Sequence, residues 1–160
     1  MGLDKIKSSD ETPEVIDWSP QWSTGAPCPQ VISSDSKTYL LYYIQDDSNL
    51  TSEPVALITF TGHTYRVGIA GDEVQHGLPL WNKGLEHYSA HIIHNSSWIE
   101  EIKTIQKVHD RYDEARWKEY KHYALLFKDQ MFEIIARDVK TEIFHTTFKD
   151  VATEVIKRIL

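Results

Sequence analysis

Two stretches of this chain, Lys37–Gln45 (KTYLLYYIQ) and Val55–Phe60 (VALITF), are rich in β-forming residues and apolar on both faces. A strand on the surface of a sheet alternates apolar with polar side chains. A strand without a polar face has to be covered on both sides. The fold must therefore give each stretch a central place and a cover above and below. A third run is different: Tyr65, Val67 and Ile69 alternate with Thr64, Arg66 and Gly68, so one face is wetter. Thr61-Gly62-His63 reads as a tight turn between the second and third runs, and the three together predict an antiparallel meander.

Further elements follow the same logic. Tyr88–His94 reads as a strand. His122–Lys128 and Met131–Arg137 read as a hairpin about Asp129-Gln130, a turn without Gly. Ser97 and Glu100 match a capping box that starts a helix, with Trp98, Ile102, Ile105 and His109 on one stripe. A short second helix fits Asp113–Tyr120, capped by Asp113 with Trp117 and Tyr120 inward. The clearest element is the last. Phe148, Val151, Ala152, Val155, Ile156 and Ile159 share one helical face, Thr147 is the cap, and Glu154 and Arg158 form an exposed pair.

The fold class is α+β: an antiparallel sheet of five or six strands, meander plus C-terminal hairpin, with two or three helices packed against it. Residues 1–16 read as a mobile polar tail. Residues 17–160 read as one domain, in keeping with a chain of 160 residues. Trp18 and Trp22, set among Pro and Ser, read as anchors that pin an irregular strap at residues 17–30 onto that domain.

Charge and composition exclude several functions. The formal net charge is −7 and no run of Lys or Arg stands apart from it, so a nucleic-acid partner is not expected. Cys28 is the sole cysteine, which excludes an intramolecular disulfide and suits a reducing compartment. The longest apolar run, Tyr39–Ile44, is too short to cross a bilayer, so no membrane is expected and the location is read as cytoplasmic.

Eight histidines make metal the first chemistry to test. His87, His91 and His94 would form one stripe on a helix and could hold zinc. On a strand His87 and His91 share a face and His94 opposes them. No metal or other cofactor is expected, and the pair His87 and His91 belongs only to the alternative function below. Ser96 and Ser97 have no G-x-S-x-G elbow, and a helix cap accounts for Ser97. Cys28 has no neighbour that would lower its pKa. Gly68-Ile69-Ala70-Gly71 lacks the spacing of a phosphate loop. The long connection from Gly71 to Gly84 carries Asp72, Glu73, His76, Trp81, Asn82 and Lys83. Of these, Asp72, Glu73, His76, Trp81 and Lys83 are the candidate binding residues. The competing reading is that Leu78-Pro79-Leu80-Trp81 plugs the end of the sheet.

Several segments, taken in order, resemble an uncharacterised family of bacterial conserved hypothetical proteins. They are Ser23-Thr24-Gly25-Ala26-Pro27, Gly71-Asp72-Glu73, Pro79-Leu80 with Lys83-Gly84-Leu85, Asn95-Ser96-Ser97-Trp98-Ile99, Val108-His109 and Phe132-Glu133. The family has no assigned activity. Its pattern has His where this chain has Lys128 and Cys where it has Ile134, so any chemistry resting on those two residues is absent here. The resemblance implies a bacterial cytosolic protein. With no complete catalytic set in the sequence, the function expected is a non-catalytic binding or protein-interaction domain for a protein partner or small-molecule ligand. The alternative is a small metal-assisted hydrolase built on His76, His87, His91, Asp72 and Glu73.

Overall fold

The computed structural model describes residues 10–45, 54–62, 64–68 and 71–160. Its described residues form nine strands in two antiparallel sheets. The strands are β1 (Thr12–Val15), β2 (Gln30–Ser33), β3 (Lys37–Tyr43), β4 (Val55–Thr61), β5 (Thr64–Gly68), β6 (Ala90–His94), β7 (Lys121–Leu126), β8 (Met131–Ala136) and β9 (Val139–Phe144). Helix α1 (Ser97–Gln106) follows β6, and α2 (Phe148–Ile159) ends the chain. One sheet has the order β1-β6-β7-β8-β5, the other β2-β3-β4-β9.

The sheets pack face to face, because alternate residues of both meet in one core. Leu40, Tyr42, Ala56, Ile58 and Phe60 come from one sheet. Tyr123, Leu125, Phe132, Ile134 and Ala136 come from the other. Trp22, fully buried, closes this core against Tyr42 and Phe127, and Trp18 stacks on Phe60. The strap is therefore pinned as the tryptophans required. Trp18 donates its indole N–H to Tyr42 Oη, and Tyr42 donates to the Pro20 carbonyl. Burial pushes the Tyr42 hydroxyl well above its ordinary pKa, against the lowering from Trp18.

The opposite faces of β3 and β4 carry Tyr39, Leu41, Val55 and Leu57, and Val151 and Val155 of α2 lie on them. The two doubly apolar strands thus have the double cover their sequence demanded. Helix α2 is capped by Thr147, which accepts from the Asp150 N–H, and Arg158 reaches Glu154 at 3.3 Å.

Several expectations are corrected. A single sheet of five or six strands is replaced by two sheets and nine described strands. The meander breaks at β5. Strands β3 and β4 pair as expected, but β5 crosses to the other sheet and pairs with β8. Gly62 sits at the crossing with its Cα against β8: a Cβ there would lie 2.4 Å from the Ile135 carbonyl oxygen. The glycine therefore serves a close passage between sheets. His63 of the expected turn lies outside the described residues. Residues 12–15, read as tail, form β1 on the edge beside β6. The cap of α1 is Ser96, whose Oγ accepts from the Ile99 N–H, one residue before the expected Ser97. No residue of α1 is fully buried and Ile105 is 59% exposed, so the expected apolar stripe does not form a core face. The segment after it, Glu114–Glu119, is a 3-10 helix capped by Asp113. No helix of the described residues is long and apolar enough to cross a membrane.

Candidate functional site

The loop from Gly71 to Gly84 is laid over the outer face of the five-stranded sheet as two 3-10 turns, Gln75–Gly77 and Trp81–Lys83. Leu78, Leu80 and Trp81 pack on Leu85, Ile93, Ala124, Leu126 and Met131. Gln75 fixes the loop from beneath. It is buried, donates to the Phe127 carbonyl at 2.8 Å, and holds His87 Nδ1 at 2.6 Å through its Oε1. The Trp81 ring packs against His87, tilted by 50° with ring centroids 4.6 Å apart. Leu78, Leu80 and Trp81 thus cover the face of the sheet, where a plug at its end was expected.

The start of the loop has a different setting. The Asp72 N–H donates to the Lys128 carbonyl at 2.7 Å, and Tyr88 Oη donates to Asp72 Oδ2 at 2.5 Å. Lys128 Nζ reaches the Gly25 carbonyl at 3.3 Å, and Gln130 reaches that of Pro29. Ser23 Oγ accepts from the Ala26 N–H and shapes the turn there. Three distant segments, residues 23–29, 71–73 and 128–130, therefore meet at one end of the sandwich. The hydrogen bond from Tyr88 is the main reason the Asp72 carboxyl is held below its ordinary pKa, and the same bond raises that of Tyr88.

Of the residues singled out by sequence, Asp72 and Glu73 stand in this group. His76 and Lys83 are exposed on the two 3-10 turns, and Trp81 belongs to the cover. Lys128 and Tyr88 were missed. Backbone strain also marks the place. Tyr88 has φ +56° and Cys28 has φ +45°, a region costing roughly 1–3 kcal/mol for a residue with a side chain.

The histidines do not form a metal stripe. Strand β6 contains His91 and His94, and His87 precedes it. His91 is fully buried and both ring nitrogens are engaged: Nε2 accepts from the Glu86 N–H at 3.0 Å, and Nδ1 faces the Ala124 carbonyl at 3.1 Å. With one nitrogen accepting, the other must donate, so neither lone pair is left for a metal. His94 turns to Glu14 at 2.7 Å. Among the described residues no group of three His, Cys, Asp or Glu is placed to hold a metal ion.

A second polar group lies on the same outer face, under the start of α1. Ser96 Oγ is 2.7 Å from His122 Nδ1, and His122 Nε2 is 2.9 Å from Glu133 Oε1. Arg66, directly across from Glu133 in the ladder, grips that carboxylate with two nitrogens at 2.6 and 3.2 Å. Trp98 covers the group, with its ring 4.1 Å from the Arg66 guanidinium carbon and edge-on to His122. Burial pushes the Glu133 carboxyl up, but the bonds from His122 and Arg66 outweigh it and hold the pKa below the ordinary value.

No family model, curated protein or solved structure matches this chain.

Proposed function

We propose that this chain is a cytoplasmic binding or protein-interaction domain whose contact surface is the end of the sandwich formed by residues 23–29, 71–73 and 128–130. The observation that carries the reading is that meeting itself. Segments far apart in sequence are brought together by polar bonds among Asp72, Tyr88, Lys128 and Gly25. Such a surface offers a carboxylate pair, an ammonium group and a phenol within one patch, a set suited to a polar partner or ligand. The left-handed backbone at Cys28 and Tyr88 supports it, because such conformations cluster where a site holds them. The charge of −7 speaks against nucleic acid as the partner.

The test is affinity capture from an extract of the source organism with three baits: wild type, a Asp72→Lys/Lys128→Glu double variant, and a Glu154→Lys control on α2. A partner held by wild type and the control but lost by the double variant supports the surface. The same set of proteins on all three baits would sink it.

A further inference from the structure

We propose that Ser96, His122 and Glu133 form an acyl-transfer centre in which Ser96 is the nucleophile and His122 its base. This goes beyond the binding reading, concerns different residues, and assigns the chain a chemical step. The geometry is that of an activated serine. Ionised Glu133 can only accept, so His122 Nε2 carries the ring proton and Nδ1 is left to accept from the Ser96 hydroxyl. Serine and histidine are 5% and 3% exposed, yet both line a cavity of about 400 Å³ between the α1 N-terminus, the 3-10 segment after it and strands β6 and β7. Compared with a Ser-His-Asp triad the ring is turned round, with Nδ1 toward the serine. Either nitrogen can act as base when the other holds the proton.

A donor for the developing oxyanion stands beside the nucleophile. The N–H of Ser97, the residue after it, begins α1, and together with Ser97 Oγ it binds Glu11 Oε1, each at 2.7 Å. A carboxylate oxygen of Glu11, from the chain's own N-terminal segment, thus holds the donor that a substrate's carbonyl oxygen would need. Glu11 must leave before the site can act. Asn95, just before the nucleophile, has φ +55°, which aims the turn from β6 into the helix.

The chemistry balances with water as co-reactant. Ser96 Oγ bonds to the acyl carbon and its proton passes to His122 Nδ1. The bond to the leaving alkoxide breaks, and that oxygen takes the proton from His122. Water then attacks the acyl-serine, gives a proton to His122, and the acid departs as Ser96 recovers its hydrogen. Ile92, Ile99 and Trp117 form an apolar wall of the cavity, so the substrate class is a small ester with an apolar acyl group. Arg66 and Glu133 are positioning residues that act through His122.

The experiment is labelling of the full-length protein with a fluorophosphonate, read by intact mass and peptide mapping, alongside turnover of p-nitrophenyl acetate. One adduct on Ser96 is expected, with none on Ser96→Ala. His122→Asn should slow labelling roughly 10²–10⁴-fold. Glu133→Gln should lower kcat with KM held within about twofold, the mark of a group that acts only in the transition state. Glu11→Ala should label several-fold faster than wild type, an outcome that a merely structural serine would not give. Mapping on the wild-type chain needs no variant to fold. An unmodified mass for both wild type and Glu11→Ala, or an adduct on any other residue, overturns the proposal.

Discussion

The two sheets of the sandwich are covered on their outer faces in opposite ways. Over β3 and β4 lies one regular helix, and its buried contact is an apolar cluster: Tyr39, Leu41, Val55 and Leu57 against Val151 and Val155. Over β6, β7 and β8 lie an irregular loop and a helix that fully buries none of its residues. The face beneath them carries His91, His122 and Glu133 among its apolar residues. Each of those groups has to be satisfied singly, by Ser96, Arg66, a backbone group or one another. An apolar cover only needs area, and a helix with one greasy stripe supplies it. A polar face needs particular atoms in particular places, and irregular chain supplies those. On this sheet the buried polar side chains His91 and His122 lie where the cover is irregular.

The largest test of that contrast is on the regular side. Leu57→Ala removes a fully buried side chain between β4 and α2, and a loss of about 2–5 kcal/mol is expected. Urea unfolding should show it as a lower midpoint at unchanged slope. A loss under about 1 kcal/mol would mean that α2 is a loose cover and the contrast is false.

On the irregular side the expected effect is smaller and depends on pH. His91→Leu keeps the volume but strands the Glu86 N–H and takes one of its bonds from the Ala124 carbonyl, at a cost of about 1–3 kcal/mol. Burial holds the His91 pKa below its ordinary 6.5, against the opposing pull of the Ala124 carbonyl and Glu86. Folding therefore favours the neutral ring. The stability it contributes is complete above that ordinary value and is lost as pH falls toward the lower folded value, since the unfolded chain then binds the extra proton. The slope is at most about 1.4 kcal/mol per pH unit. Denaturation curves from pH 7.5 to 5 should converge for wild type and His91→Leu. Parallel curves would show that His91 is not held neutral.

The same contrast explains what the sequence could disclose. Helix α2 was legible to its cap, since Thr147 and the spacing of Val151 and Val155 are local signals. The double cover of β3 and β4 was legible because neither strand has a polar face. The move of β5 between sheets was not, since a glycine at a tight turn and a glycine at a close passage look alike. Ser97 and Glu100 fit a capping box, but Ser97 is engaged by Glu11, 86 residues away. For the candidate site, Asp72 and Glu73 stood out because they open a long loop. Tyr88 and Lys128 could be joined to them only through the fold. His122 and Glu133 did leave a trace. Each is the polar residue of an otherwise buried strand, in HYALLF and MFEIIA, and such a residue requires a partner. Arg66 lies 67 residues from Glu133, so no local pattern could name it.

The smallest effect belongs to the surface of the regular side. Glu154 and Arg158 are an i, i+4 pair on α2 at 3.3 Å, both partly open to water. Arg158 has a better partner in Glu142, which it meets with two nitrogens at 2.7 and 3.1 Å, so the side chain stays ordered without Glu154. The charge lost in Glu154→Ala also leaves the middle of a helix that alanine suits well. About 0.3 kcal/mol or less is expected, read as a shift in the thermal midpoint. Repeating the melt at high salt should erase even that, because screening weakens an exposed pair. A loss above about 1 kcal/mol that survives salt would mean that α2 is held by its polar rim as well as its apolar stripe, and the two covers would then differ less than their buried faces suggest.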